Sequence, residues 1–267
     1  MDLSDFPAHM ATDGRTDAAG NPFFHCPLAE QKVANHKEKY FLRENFTEIY
    51  DLMRSKLNYT HDPYLFFDTL TCMKEHNLKL PEWCSNESFY QTLKFISWNG
   101  VNAQFGMGPY DDEMQRKLRG GSALRGVVSR IACKTNYSGW TPHDMTLAAI
   151  LSTFSDIHAI LGEVPLIDYG ANIAFELWTT DKTTYKLKVF YANSWKEEPF
   201  DVTRFAPGCE NSVEFCNVSD FIDHSRLLFF DNIQEECSKG VTSQTPHIVR
   251  RSIGADITEE VDLIELY

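Results

Sequence analysis

The sequence predicts an α/β protein whose first 110 residues are mainly helical and whose strands come later in the chain. Apolar residues recur at helical spacing within residues 29–57. Residues 184–192 instead alternate between apolar and polar side chains, as a half-buried strand does. Of the 267 residues, 43% are hydrophobic and 13% are aromatic, so the chain can bury a sizeable core. A globular protein is the expectation.

Helices are expected through the first hundred residues. The first covers about residues 29–57, with one face formed by Phe46, Ile49, Tyr50, Met53 and Leu57. The second covers residues 63–77, because proline is favoured in a first helical turn. The third covers residues 86–98, after a break at residues 79–81.

The later part of the chain changes character. Residues 111–130 form an amphipathic charged stretch that Gly120-Gly121 interrupts, and residues 145–157 form a helix. Two strands at residues 172–178 and 184–192 are expected to make a hairpin. We therefore divide the chain into a helical subdomain at residues 1–110, an α/β part at residues 111–240 and a polar tail at residues 241–267.

Charge and hydropathy disfavour two classes of partner. Lys+Arg number 25 against 38 Asp+Glu, and the formal net charge of −13 opposes binding to nucleic acid. No stretch approaches the roughly 20 apolar residues that cross a bilayer. The first residues, MDLSDFPAHMATDGRTDAAG, have neither the basic nor the apolar region of a signal peptide.

Glycosylation sequons and cysteines favour an oxidising compartment. The sequons lie at Asn45, Asn58, Asn86, Asn136 and Asn217. The seven cysteines include no CxxC pair, and no histidine pair has metal-ligand spacing, so neither a metal site nor a cofactor is expected. Chance sequons and buried thiols in a cytosolic protein remain the alternative.

The His143-Asp144 pair stands immediately before an apolar helix. Asp144 fits a structural role as the N-cap, where its carboxylate accepts amide hydrogens of the first turn. The same position attracts anions, and an acid there can protonate a departing alkoxide. Local spacing favours the cap.

A longer set of segments resembles the histidine acid phosphatases. HDMTLAAILSTFSDI, PLIDYGANIAFELW and YKLKVFYANS follow the family's His-Asp-Thr-Thr-Leu, Pro-Tyr-Ala-Ser, Phe-Glu-Leu and Tyr-x-Asn order, although Met145 replaces the first threonine. Further landmarks that match are Pro7-Ala8-His9, Cys26-Pro27, His76-Asn77-Leu78, Leu80-Pro81, Leu118-Arg119-Gly120-Gly121 and Pro207-Gly208-Cys209. The resemblance extends to about residue 240.

This resemblance implies a phosphoglycerate-mutase-like fold, incomplete here, with a mainly parallel sheet flanked by helices and a helical cap subdomain. It implies Asp144 as proton donor and His143 as a phosphate-binding partner for a small phosphomonoester, with no cofactor. Members of this family are secreted, lysosomal or extracellular, and the resemblance leaves open whether the protein forms a homodimer. Their Arg-His-Gly nucleophile loop has no counterpart in the sequence, which suggests an N-terminally truncated chain without a nucleophile.

The resemblance also bears on the cysteines. For a secreted product we expect disulfides between Cys26 and Cys237 and between Cys209 and Cys216. The family partner of Cys72 is replaced by Asn172, so a Cys72–Cys84 pair stays open.

Three functions remain after the sequence is considered. The first is an acid phosphatase that acts through a phosphohistidine, and the second is a non-catalytic secreted relative that binds an anion or a partner. An unrelated hydrolase is disfavoured, because the sequence has neither a Gly-x-Ser-x-Gly elbow nor a Walker loop.

Overall fold

The structure, a computed structural model, describes residues 18–40, 46–58, 63–133, 137–162, 166–181 and 183–239. Its helices are α1 (Pro27–Tyr40), α2 (Thr47–Leu57), α3 (Pro63–Glu75), α4 (Glu87–Phe105), α5 (Glu113–Arg119), α6 (Gly121–Ala132), α7 (Asp144–Leu151), α8 (Ile157–Leu161), α9 (Val218–Ser225) and α10 (Ile233–Ser238). The strands are β1 (Asn172–Trp178), β2 (Lys186–Ala192), β3 (Phe200–Asp201) and β4 (Cys216–Asn217). Helices thus dominate the described residues.

The predicted helix at residues 29–57 is wrong as a single element. The structure has α1 and α2 instead, and residues 41–45 between them lie outside the described part. Phe46 precedes α2 with a non-helical ψ of 23°. Apolar spacing alone could not reveal this interruption, because both helices carry the same period.

Local signals located the next two helices well. Helix α3 begins at Pro63, as predicted. Helix α4 begins after Asn86, whose side chain accepts a hydrogen bond from the amide of Ser88 at 2.8 Å. It runs beyond the predicted end at residue 98 and stops at Gly106, which has a positive φ of 64°.

Helices α2, α3 and α4 share one apolar cluster. Its buried side chains are Met53, Phe66, Phe67, Leu70, Cys84, Phe89 and Leu93. The ring of Phe66 stacks on Trp83 with centroids 5.7 Å apart. Helix α3 is therefore fixed on one side by aromatic and aliphatic packing.

The predicted interruption at Gly120-Gly121 is confirmed, since α5 ends at Arg119 and α6 begins at Gly121. This junction touches the backbone of α7. A Cβ added at Gly120 would collide with the carbonyl oxygen of Ala149. Only glycine allows this approach, so the residue sets how closely α7 can pack.

The predicted hairpin is confirmed. Strand β1 pairs antiparallel with β2, from Asn172 opposite Ala192 to Trp178 opposite Lys186. In the connecting turn, the Asp181 carboxylate accepts hydrogen bonds from the amides of Thr183 and Thr184, which hold the pKa of this carboxyl below its usual range. The alternation of β2 has its expected result, because Leu187, Val189 and Tyr191 are buried.

The sheet of the described residues is small and antiparallel. Strand β2 pairs with β1, β3 and β4, and each of these pairings is antiparallel. No parallel pair occurs in the described ranges, so the parallel sheet implied by the resemblance stays a prediction. The division at residue 110 also stays a prediction.

Both expected disulfides are present, joining Cys26 to Cys237 and Cys209 to Cys216. The first lies in an apolar cluster where α1 meets α10, with Phe24, Ala29, Leu118 and Ile233. The Cys72–Cys84 alternative is wrong, because both thiols are free. Cys84 is buried and its thiol donates to the carbonyl of Pro81, whereas Cys72 is exposed.

The two disulfides should differ in their contribution to stability. Replacing Cys26 and Cys237 by alanine should lower the free energy of unfolding by about 5 kcal/mol, because this disulfide closes a loop between cysteines that are 211 positions apart in the sequence. The matched control pair Cys209→Ala with Cys216→Ala frees a separation of 7 and should cost about 2.5 kcal/mol. Urea unfolding under non-reducing conditions measures both losses. Equal losses would contradict the loop-entropy argument.

Candidate active site

The His-Asp pair stands at the start of α7, and the helix begins one residue earlier than predicted. The N-cap residue is His143, which has an extended backbone (φ −80°, ψ 163°) and makes no side-chain capping bond. Asp144 is the first helical residue, so the prediction that it is the N-cap is wrong. The predicted helix at residues 145–157 is also two elements, since α7 ends at Leu151 and α8 begins at Ile157.

Asp144 is half-buried and is held through both carboxylate oxygens. Its Oδ1 accepts a hydrogen bond from the amide of Met145 at 2.8 Å. Its Oδ2 accepts one from the hydroxyl of Tyr64 at 2.5 Å. A short O–H···O contact to a carboxylate belongs to the stronger class of hydrogen bonds. The carboxyl group is therefore oriented before any ligand arrives.

Tyr64 lies on α3, and sequence analysis missed it. Burial raises the pKa of its hydroxyl far above the usual range, and the nearby charge of Asp144 and the hydrogen bond to it act in the same direction. The hydroxyl thus stays protonated and can donate. Tyr64 and Asp144 are 80 positions apart in the sequence, and helical or strand periodicity cannot predict a contact between residues so far apart.

Polar residues continue along the same side of α3. The hydroxyl of Tyr169 donates to Asp68 Oδ1 at 2.8 Å and lies 3.0 Å from the sulfur of Cys72. One turn further, Glu75 accepts from Lys196 Nζ at 2.6 Å. These spacings of three and four residues put the polar groups in one row. Helix α3 therefore joins the apolar cluster on one face to the segments around the candidate site on the other.

The start of α7 is also tied to the segment before α1. The buried hydroxyl of Thr146 donates to the carbonyl of Gly20 at 2.7 Å. The same segment also contacts α5, where Arg119 donates to the carbonyls of Pro22 at 2.9 Å and Phe24 at 3.0 Å. Burial lowers the pKa of Arg119 to about 10, so its guanidinium remains charged at neutral pH, and the two carbonyls stabilise that charge at Nη1.

His143 is exposed, unlike Asp144. Residues 137–142, which precede it, have no regular structure, and Trp140 lies against Gly126 of α6. Arg130, near the end of that helix, donates to the hydroxyl of Ser138 at 3.1 Å. The two candidate residues are neighbours in sequence, yet only one of them is organised by surrounding groups.

A small apolar cavity adjoins Asp144 and Tyr64, with space for about one water molecule. Its walls include Trp98, Met107, Met145 and Leu166. Within the described residues, no group of three or more His, Cys, Asp or Glu side chains could hold a metal ion. None of the described helices is long and apolar enough to cross a membrane.

Three sequon asparagines fall in the described part, and all three are exposed. Asn58 ends α2 with a positive φ of 51°, Asn86 caps α4, and Asn217 lies in β4. Asn45 and Asn136 lie outside the described residues. Glycosylation at these sites stays a prediction.

Comparison with known proteins gives relatives of one kind. The chain is 25% identical to "Putative acid phosphatase 5" of Caenorhabditis elegans, over 85% of this chain and 54% of that protein. It is 25% identical to lysosomal acid phosphatase of Rattus norvegicus, over 72% of this chain and 44% of the relative. For lysosomal acid phosphatase of Xenopus laevis the values are 24%, 71% and 43%. No family model matches the chain.

The chain is a homologue of these acid phosphatases. This similarity supports the resemblance to the histidine acid phosphatases that the ordered segments around His143-Asp144 indicated. The chain spans about half the length of these curated relatives.

The tie between Thr146 and Gly20 should be measurable. Thr146→Val keeps the shape of the side chain but removes the buried hydrogen bond, so the free energy of unfolding should fall by about 1–3 kcal/mol. The control is Thr69→Val, where the hydroxyl bonds to the carbonyl of Leu65 on the exposed surface of α3 and the loss should stay within about 0.5 kcal/mol. Urea unfolding of both variants gives the comparison. A Thr146→Val variant as stable as the control would contradict the assignment of this contact as an anchor.

Proposed function

We propose that this chain belongs to an enzyme that hydrolyses phosphate monoesters through a phosphohistidine. Asp144 is the proton donor to the leaving oxygen, and His143 binds the phosphate. The observation that carries the proposal is the Asp144 carboxyl group, half-buried at the start of α7 and oriented by hydrogen bonds from Tyr64 and Met145. The names of the relatives support the same chemistry.

The two residues differ as their roles require. A proton donor must sit in a fixed direction relative to the bond that breaks, and Asp144 is held at both oxygens. A phosphate-binding side chain needs access from solvent, and His143 is exposed at the N-terminal end of the helix. An oriented acid beside an accessible imidazole favours acid-assisted cleavage of an anionic ester.

Hydrolysis in this class also needs an attacking imidazole and guanidinium groups on the equatorial phosphate oxygens. The sequence contains no Arg-His-Gly segment. We therefore propose that the 267-residue chain is active only with a segment that supplies this loop. The substrate is then a small phosphomonoester, and the chain itself supplies the acid.

An oxidising compartment fits this proposal. The disulfide between Cys26 and Cys237 closes a long loop, and such bonds persist outside the reducing cytosol. The described sequon asparagines are exposed, and several relatives are named lysosomal acid phosphatase. We propose a lysosomal or extracellular location.

The dependence on a supplied loop can be tested directly. The chain alone should hydrolyse 4-nitrophenyl phosphate at acidic pH at no more than a trace rate, because catalytic groups that act as one unit lose nearly everything when the nucleophile is missing. The chain joined to the N-terminal half of a family member that carries the loop should turn over. A fast reaction by the chain alone, abolished by His143→Ala, would contradict the proposal.

The role of Asp144 has its own signature in the joined protein. Asp144→Asn keeps an oxygen acceptor for the amide of Met145 but weakens the hydrogen bond from Tyr64, so the melting temperature should fall by no more than the loss of that one contact. Turnover should nevertheless fall about 10²- to 10⁴-fold for alkyl phosphates, whose leaving groups need a proton, and less for activated aryl phosphates. Steady-state kinetics beside a thermal melt separate the two effects. Small and equal changes for both substrates would reduce Asp144 to a structural residue.

A further inference from the structure

We propose that Tyr64 is the positioning residue of the candidate proton donor. It fixes the Asp144 carboxyl group for proton transfer and stabilises the carboxylate that the transfer leaves behind. This inference rests on the proposed function and assigns one step of it to a residue of α3. Tyr64 acts through Asp144 and has no direct role at phosphorus.

The contact geometry carries the first step. A carboxylate offers about four lone-pair sites, and the structure uses one on each oxygen. The Tyr64 hydroxyl holds Oδ2 at 2.5 Å and the Met145 amide holds Oδ1 at 2.8 Å. Two donors on different elements prevent rotation of the carboxyl plane. One lone pair on each oxygen stays available for the transferred proton.

Tyr64 is well suited to hold another group still. It is the second residue of α3, and Phe66, Phe67 and Leu70 anchor that helix in the apolar cluster. Its side chain has only two rotatable torsions, so little conformational entropy is lost on ordering. Asp68 and Tyr169 lie near enough to add to the electrostatic environment that keeps the hydroxyl protonated. Tyr64 therefore remains a donor.

The hydrogen bond should strengthen as the reaction proceeds. When the P–O bond to the leaving group breaks, its electron pair goes to the leaving oxygen, which takes the O–H proton of Asp144. The electron pair of that O–H bond stays on the carboxylate. Tyr64 keeps its own proton and now donates to a charged acceptor. Charge-assisted hydrogen bonds are roughly twice as strong as neutral ones. A contact that improves towards the transition state raises kcat more than it lowers KM.

A purely structural role would link α3 to α7 without affecting proton transfer. Kinetics separate the two roles. In the joined, active protein, Tyr64→Phe should lower kcat for alkyl phosphates about 10- to 100-fold, the loss expected for one charge-assisted hydrogen bond. KM should stay within a few-fold, and activated aryl phosphates should lose less. The matched control is Tyr90→Phe on α4, which removes a hydroxyl that contacts Thr71 of α3 at 2.9 Å.

The double variant decides whether Tyr64 acts through Asp144. In an Asp144→Asn background, Tyr64→Phe should change kcat by no more than a few-fold, because the proton transfer that it supports is gone. Equal losses in both backgrounds and for both substrate types, following the fraction of folded protein, would overturn the proposal. The control variant should match the parent throughout.

The 267-residue chain gives a second measurement that needs no activity. Tyr64→Phe should lower its melting temperature by about 3 to 10 °C at neutral pH, and the shift should be smaller when Asp144 is already asparagine. No coupling between the two positions would refute the contact and with it the proposal. If Asp144→Asn slows alkyl phosphates but Tyr64→Phe does not, positioning by Tyr64 fails while the proposed function stands. If Asp144→Asn has no effect, both fail.

Discussion

The close approach of the α5–α6 junction to α7 is the constraint on which the candidate site depends. Because Gly120 has no side chain, the carbonyl of Ala149 can lie against it. Helix α7 thereby packs in a third apolar cluster, where Ala148, Ile150 and Leu151 are buried with side chains of α4, α6 and β2. A helix held so firmly at its middle has a defined N-terminal end, and the candidate proton donor stands at that end.

Helix α3 brings the second half of the arrangement. Its apolar face packs into a cluster that contains no residue of α7, while its polar row faces the segments around the site. The position of Asp144 therefore depends on two helices whose buried residues lie in different apolar clusters and which the Tyr64–Asp144 hydrogen bond joins. A displacement of either helix should therefore shift the carboxyl group of Asp144, since protein interiors are tightly packed and transmit strain.

Sequence reasoning succeeded where the signal is local or comes from ordered motifs. The start at Pro63, the break at Gly120-Gly121 and the hairpin were predicted because each follows from spacing or from residue type. The disulfide of Cys26 with Cys237 followed from the family resemblance. The contact of Tyr64 with Asp144 could not be predicted, because neither residue type nor period marks partners 80 positions apart. The shift of the N-cap to His143 is a one-residue boundary error, the usual size at helix ends.

That one-residue shift explains why adjacent side chains have different surroundings. The extended ψ of 163° at His143 precedes the first helical residue, so the imidazole remains in solvent while Asp144 turns towards α3. Preorganisation is thus already present for the acid. An exposed imidazole gains order only when a ligand or another segment contacts it, and that ordering has an entropic cost at the moment of binding. The acid and the anion-binding group of the proposed site therefore differ in rigidity because of where α7 begins.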